Sequence, residues 1–414
     1  MPKWTNKGHE FDEIGNYFET HKNIVVTGSQ EDREYITQKL SFLGVKINSL
    51  KKFRFFNKKN QISKILFFIN EWFYLHYVKK LKKTSIIITP ERHYHSHRRM
   101  LEYGFTEGKN LFIQKEFLEK YLHIYAVYAA DKVYFPSNCF ICTTVCTLNC
   151  RHCLNFAPYD KNKHHFDIQR LKQDVDTYFK HVDRVELFHI SGGEPFSYPK
   201  LEELIEYIGK NYRNKISIFG IVSNATIVPG DNLCKLFKKY DMRVELDDYT
   251  VSVKNLQSNL EKIRKKLEQY NVCIQLNLPE TFFELFPPKN IKNEYTEAEL
   301  IAKFDACANM YTELKNQKLY NCNYSEFAAE ADVFAKHDDE AFDLTGNFNK
   351  KELVEYRYGY SNKGYVEFCK YCNGVPPCNN NYVQPAIQSN CSLEWDINQP
   401  KEVKSVFNTE TKNI

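Results

Sequence analysis

No apolar run in this 414-residue chain is both long enough and free enough of polar residues to cross a membrane. The most apolar stretch, Ile62–Val78, is interrupted by Lys64, Asn70 and Glu71 and reads as a core or amphipathic helix. No secretory leader is visible either, because Met1–Asp12 is polar and charged. A large excess of one charge is also missing. A formal net charge of +5 is modest for this length and gives no basis for a nucleic-acid partner, which goes with a clustered basic face. Only Gly28 of a G-x-G-x-x-G is present, so the dinucleotide signature is absent. These absences lead us to expect a cytoplasmic, globular protein without a membrane span. The 43% hydrophobic and 15% aromatic content agrees, and the length predicts two or three domains.

Cysteine is abundant: there are 13. Without a leader, they point to metal or catalysis rather than to a disulfide framework. Three stand in Cys146-Thr-Leu-Asn-Cys150-Arg-His-Cys153, just after a strand-like stretch. Three thiolates on one tight loop suffice for three irons of a [4Fe–4S] cluster and leave the fourth iron open. An open iron can bind and reduce a cofactor. Zinc is the competing reading, since Cys139-Phe-Ile-Cys142 followed by Cys150-Arg-His-Cys153 has a paired C-x2-C form. It leaves unexplained Ser191-Gly192-Gly193-Glu194-Pro195, which follows the apolar strand Val185–Ile190. Glycines there allow close backbone approach to a ligand. Glu194 offers a carboxylate to an ammonium. A third segment, Ile221-Val222-Ser223-Asn224-Ala225, follows the strand Ile216–Gly220.

In this order, the three segments resemble the core of the radical S-adenosylmethionine (SAM) enzymes. The resemblance implies that Cys146, Cys150 and Cys153 ligate the SAM-binding [4Fe–4S] cluster. Gly192, Gly193 and Glu194 would hold the methionyl amino group, and Ser223 and Asn224 the ribose or carboxylate. His152 replaces an aromatic residue often found there and would pack on the adenine. The resemblance also implies an electron donor such as flavodoxin or ferredoxin, reductive cleavage of SAM to a 5′-deoxyadenosyl radical, and hydrogen abstraction from an unactivated C–H bond.

Strands and helices alternate along most of the chain. Residues 1–132 read as a Rossmann-like domain, with a strand at Ile24–Gly28, a helix over Glu31–Leu43 and strands at Val45–Ile47 and Ser85–Thr89. Arg92, His93, His95, His97, Arg98 and Arg99 form a basic patch, read as a solvated helix start or an anion site. Residues 133–300 repeat β-α units, which predicts parallel strands with right-handed crossovers. All three segments fall at strand C-termini, where such folds gather their chemistry. The resemblance implies an open, partial TIM-like (β/α) barrel.

Residues 301–414 form a cysteine-rich α+β extension. Cys307, Cys322 and the pair Cys369-Lys-Tyr-Cys372 resemble the twitch extension, which implies one auxiliary [4Fe–4S] cluster with four thiolates. Cys378 and Cys391 add a partial match to the larger SPASM extension, which holds two clusters but would want a cysteine where Tyr382 stands.

An auxiliary cluster suits a substrate radical that must lose an electron, as when a hydroxyl-bearing carbon becomes a ketone. A base must take the proton. Asp247 and Asp248 at a strand end, and less directly His189, are the candidates; a turn or helix-capping role competes for the aspartates. The expected substrate is a sugar, aminocyclitol or nucleotide-linked glycan, dehydrogenated or epimerised, of the kind met in polysaccharide biosynthesis. A peptide-modifying maturase is the alternative, and a non-enzymatic iron–sulfur or zinc scaffold the third reading.

Overall fold

The computed structural model describes residues 10–50, 76–91, 94–285, 295–309, 311–358 and 363–389. In the N-terminal part, β1 (Asn23–Val26), β2 (Ile47–Ser49), β3 (Ser85–Thr89) and β4 (Leu111–Ile113) form a parallel sheet in the order β2-β1-β3-β4. β3 reads Ser-Ile-Ile-Ile-Thr and is buried along its whole length, as a parallel strand covered on both faces should be. The helix Gln30–Leu40 starts from a capping box of Ser29 and Asp32, and a 3-10 turn ending at Gly44, with φ 67°, stops it. The helix Leu122–Ala130 is buried from Leu122 through Ala129 and leads directly into the larger sheet.

Of the basic patch, His97, Arg98 and Arg99 are engaged with neighbouring side chains. Arg92 and His93 lie outside the described residues. The others sit on the helix Tyr94–Glu102, where alternate positions diverge. His97 is buried, with Nδ1 2.8 Å from Thr89 Oγ1 and Nε2 against the Glu107 carboxylate. Arg98 pairs with Glu102, and Arg99 Nε donates to Tyr103 Oη at 2.7 Å. The stretch Ile62–Val78 is described only from residue 76. Among the described residues, no helix is long and apolar enough to cross a membrane.

The larger sheet is built on β5 (Tyr134–Ile141), β6 (Arg184–Ser191), β7 (Ile216–Ser223), β8 (Met242–Asp247) and β9 (Cys273–Asn277), all parallel and adjacent in chain order. Helices Ile168–His181, Leu201–Tyr212, Asp231–Lys239 and Leu256–Gln269 fill the crossovers. In the first of these, Asp167 caps the N-terminus, and Leu171, Val175, Tyr178 and Phe179 form the buried stripe at helical spacing. Tyr178 and Phe179 meet Phe188 of β6 at ring distances of 5.9 and 5.5 Å. Phe188 and its neighbours on alternate positions thus face the helices, while His189 and the odd-numbered residues of β6 face the opposite side.

After the short β10 (Phe282–Phe283), three further strands extend the same sheet: β11 (Glu313–Lys315), β12 (Lys318–Tyr320) and β13 (Phe342–Asp343). The order is β13-β12-β11-β5-β6-β7-β8-β9, with β11 parallel to β5 through Glu313 and Cys139. The sheet is open, with β13 and β9 at its edges, which makes it a partial barrel. Hydrogen bonding therefore runs across the boundary expected near residue 300. β11 and β12 form a hairpin through Asn316 and Gln317, both with positive φ, the conformation of a two-residue type I′ turn. β14 (Tyr382–Val383) pairs antiparallel with β10 and carries the C-terminal segment back to the mouth of the barrel.

Candidate active site

The C-terminal ends of β5, β6, β7 and β8 lie along one edge of the sheet, and the loop after β5 crosses it. Cys142 N–H donates to Ser191 O at 3.2 Å, Gly193 N–H to Thr143 O at 2.8 Å, and Glu194 N–H to Val145 O at 2.8 Å. This strand-like pairing explains the glycines. A Cβ on Gly193 would lie 2.3 Å from Val145 O, and one on Gly192, whose φ is +152°, 2.3 Å from Thr143 O. Both glycines therefore make room for the cysteine loop.

Cys146, Cys150 and Cys153 come together on that loop. Cys153 N–H donates to Cys150 O at 3.1 Å, and, after burial, the Cys153 thiol raises the pKa of both Cys146 and Cys150. Burial pushes Cys146 and Cys150 up to about 12, so ligation by a cation is what would favour their thiolates. Two amides point at the sulfurs: Asn224 Nδ2 donates to Cys146 Sγ at 3.5 Å, and Gln388 Nε2 to Cys150 Sγ at 3.2 Å. N–H donors around clustered sulfurs are the surroundings an iron–sulfur cluster needs. The residues therefore fit the group.

Glu194 is fully buried, with Oε1 accepting Phe196 N–H at 3.0 Å and Oε2 accepting Asn224 N–H at 2.7 Å. Each oxygen thus accepts one backbone N–H, and the carboxyl ties β6 to β7. Burial outweighs these hydrogen bonds and pushes it up to about 7. Because the folded carboxyl holds its proton more tightly than an unfolded one near 4.5, its contribution is full below 4.5 and is lost as pH rises through about 7. Glu194→Gln places an amide N–H against one of two backbone N–H groups. We expect it to cost about 1–3 kcal/mol at neutral pH and to remove this pH dependence, read by urea unfolding from pH 4.5 to 8. Equal stability of the two proteins across that range would contradict the assignment.

Ser223 Oγ accepts Ala225 N–H at 3.2 Å, and Asn224 Oδ1 accepts Thr226 N–H at 3.1 Å, so both shape the strand end beside Cys146. His152 Nδ1 pairs with the Glu284 carboxylate. Glu284 O in turn accepts the side-chain amides of Asn373 and Asn379, both at 2.9 Å, which ties the loop to the cysteine-rich segment.

The two aspartates separate as strand alternation requires. Asp248 Oδ1 accepts Thr250 N–H at 2.9 Å and serves the turn. Asp247 accepts Tyr249 Oη at 2.9 Å and Asn277 Nδ2 at 3.0 Å, and burial raises its carboxyl. Tyr249 packs against the cluster of Leu148, Cys150 and Ala386, so Asp247 stands one side chain from the cysteine loop. Below it, His189 and Glu245 approach across Gly220, with His189 Nε2 3.7 Å from Glu245 Oε2 and Arg243 Nη2 donating to Glu245 Oε1 at 2.6 Å. The barrel face is therefore polar. Arg243, Glu245 and Asp247 share it on alternate positions of β8.

A second group of cysteines gathers within residues 307–378. Cys307, Cys322, Cys369 and Cys372 all line one cavity of about 350 Å³. The spacing of the first two follows from the β11–β12 hairpin between them, whose antiparallel legs bring their flanks together. Val375 N–H donates to Cys307 Sγ at 3.3 Å, Gly374 N–H to Cys372 Sγ at 3.1 Å, and Asn309 Nδ2 to Cys322 Sγ at 3.5 Å. Cys378 lies beside the cavity, packed on Gly374, and donates to Val375 O at 2.9 Å. Cys391 lies outside the described residues. Among those residues, no three His, Cys, Asp or Glu side chains close on a point that could hold a single ion. The cavity between the four thiols has the volume of a larger group.

Sequence comparison agrees with this geometry. Residues 140–288 match the family described as the Radical SAM superfamily. An uncharacterized protein of Methanocaldococcus jannaschii is 27% identical over 141 residues, 31% of this chain and 48% of its own length. The chain thus spans about half the length of that curated relative. Among solved structures, native anSMEcpe with bound AdoMet and the Cp18Cys peptide aligns at TM-score 0.39 and 14% identity, over 63% of this chain and 93% of its own. BtrN in complex with AdoMet and 2-DOIA aligns at 0.38 and 11%, over 59% and 95%. SuiB of Streptococcus suis bound to S-adenosylmethionine aligns at 0.29 and 14%, over 57% and 49%. Over residues 140–288, the chain is thus similar to the Radical SAM superfamily.

Proposed function

We propose that this protein is a radical SAM oxidoreductase that removes hydrogen from a small, hydroxyl-bearing substrate: a sugar, an aminocyclitol or a nucleotide-linked glycan. The observation that carries the reading is that Cys307, Cys322, Cys369 and Cys372 line one cavity, which would hold a cluster able to accept an electron. The cluster on Cys146, Cys150 and Cys153, when bound, supplies the electron that cleaves SAM reductively.

The chain's own residues supply the rest. The glycine–glutamate turn holds the cysteine loop against β6, and Asn224 holds Cys146. The sheet closes one side of the site and limits water. Arg243, Glu245, His189 and Asn277 offer hydrogen-bonding partners that hydroxyl groups need and apolar substrates do not. Asp247, its carboxyl raised by burial and oriented by Tyr249 and Asn277, is placed to accept the hydroxyl proton during oxidation. Asp248, committed to its turn, is not.

Anaerobically reconstituted protein, given dithionite and SAM, should release 5′-deoxyadenosine, detected by mass spectrometry. No release above a protein-free control would leave the scaffold reading in its place.

A further inference from the structure

The cysteine loop is covered by a segment more than two hundred residues further along the chain. Gln388, 238 positions beyond Cys150, forms an antiparallel bridge with it. Arg151 N–H donates to Ile387 O at 2.8 Å, and Ser389 N–H to Asn149 O at 2.7 Å. The Gln388 side chain is fixed at every polar atom. Its Oε1 accepts Asn149 N–H at 2.8 Å, while Nε2 donates to Ala386 O at 2.7 Å and to Cys150 Sγ at 3.2 Å. The orientation is not arbitrary. Turned over, the amide would set its NH2 against an N–H donor and its oxygen against a carbonyl oxygen and a sulfur. Cys150 is buried, so no water stands ready to replace the donor. Nothing in the loop's own fold requires an N–H at this sulfur.

We propose that Gln388 is a positioning residue for electron entry: its Nε2–H, aimed at Cys150 Sγ, raises the reduction potential of the cluster held there. This rests on the reading that Cys146, Cys150 and Cys153 hold that cluster. One electron passes from an external donor to the cluster, and no bond is made or broken. The reduced state carries one more negative charge, which spreads onto the ligand sulfurs. An N–H donor at a sulfur therefore stabilises it more than the oxidised state, and hydrogen bonds to sulfur are among the protein's levers on potential. Loss of one such bond should make reduction about tenfold less favourable. For a one-electron couple, that is roughly 59 mV downward.

Two substitutions separate the donor from the strap. Gln388→Met keeps the length and removes the donor. Gln388→Glu keeps an oxygen for Asn149 N–H and sets another against the sulfur. Full-length protein would be titrated with dithionite under electron paramagnetic resonance, following the signal that Cys150→Ala removes, with iron assayed in parallel. The expected result is unchanged iron, a midpoint lower by about 59 mV in the Met variant and lower still in the Glu variant. Unchanged midpoints with iron retained would overturn the proposal. So would loss of that signal's iron from both variants, which would make the strap a mere clasp. If wild-type protein has no signal that Cys150→Ala removes, the cluster assignment itself fails and the proposal falls with it; that outcome is distinct from the other two.

Discussion

Cys150→Ala should lose the cluster of the β5 loop and release no 5′-deoxyadenosine, while the second centre keeps its iron. Only three thiols are offered on this loop, so removing one leaves two, too few to hold a cluster with one iron open to SAM. Cys150 is also where the loop is most tightly enclosed: it bridges Gln388 and packs with Leu148 and Ala386. Among the described residues, no other cysteine is placed to substitute. Cys142, the nearest along the chain, is buried with its thiol turned to Ser191 O at 3.6 Å. Total iron should fall by about half, from about eight per chain. Product formation that survives the substitution would remove the loop from the chemistry.

The second large effect concerns the other cavity. Cys369→Ala or Cys307→Ala should likewise lose about half the iron, whereas Cys378→Ala should keep it all. The expectation rests on the four thiols that line the cavity. Cys307 follows the capped helix Glu297–Ala306, and Cys322 opens the helix Asn323–Glu330, so both are held by regular structure. Cys378 is packed on Gly374, donates to Val375 O and also meets the Cys307 thiol, so its variant tests whether the set stops at four. Iron and sulfide assays of the three variants beside wild type decide the matter. Loss from Cys378→Ala as large as from Cys369→Ala would mean that the ligand set extends beyond these four residues.

Much of this architecture was legible because it is local. The buried run Ser85–Thr89, the amphipathic stretch Ile168–His181 and the three short segments at strand ends all carry their signal within a few residues. The helix Ile168–His181 buries Leu171, Val175, Tyr178 and Phe179 at helical spacing. What escaped notice depends on residues far apart. Glu194 looks like a ligand in a five-residue segment, yet it meets Asn224 N–H thirty positions away. His152 looks available beside the cysteines, but Glu284 holds it. Gln388 carries no local mark at all, and nothing short of the fold brings it to Cys150. Gly192 and Gly193 were recognised as sites of close approach; what approaches is the backbone of residues 143–145. Cys307 and Cys322 could be paired by count alone, but the reason for their spacing is the hairpin between them.

The central claim is that the thiols of Cys146, Cys150 and Cys153 hold a cluster with an iron open to SAM. It is tested most directly by electron paramagnetic resonance of dithionite-reduced Cys307→Ala protein, in which only that cluster remains, recorded with and without SAM. The account predicts a spectrum whose g-values shift when SAM is added, since the ligand binds the iron itself. A spectrum indifferent to saturating SAM, from protein that retains its iron, would contradict it.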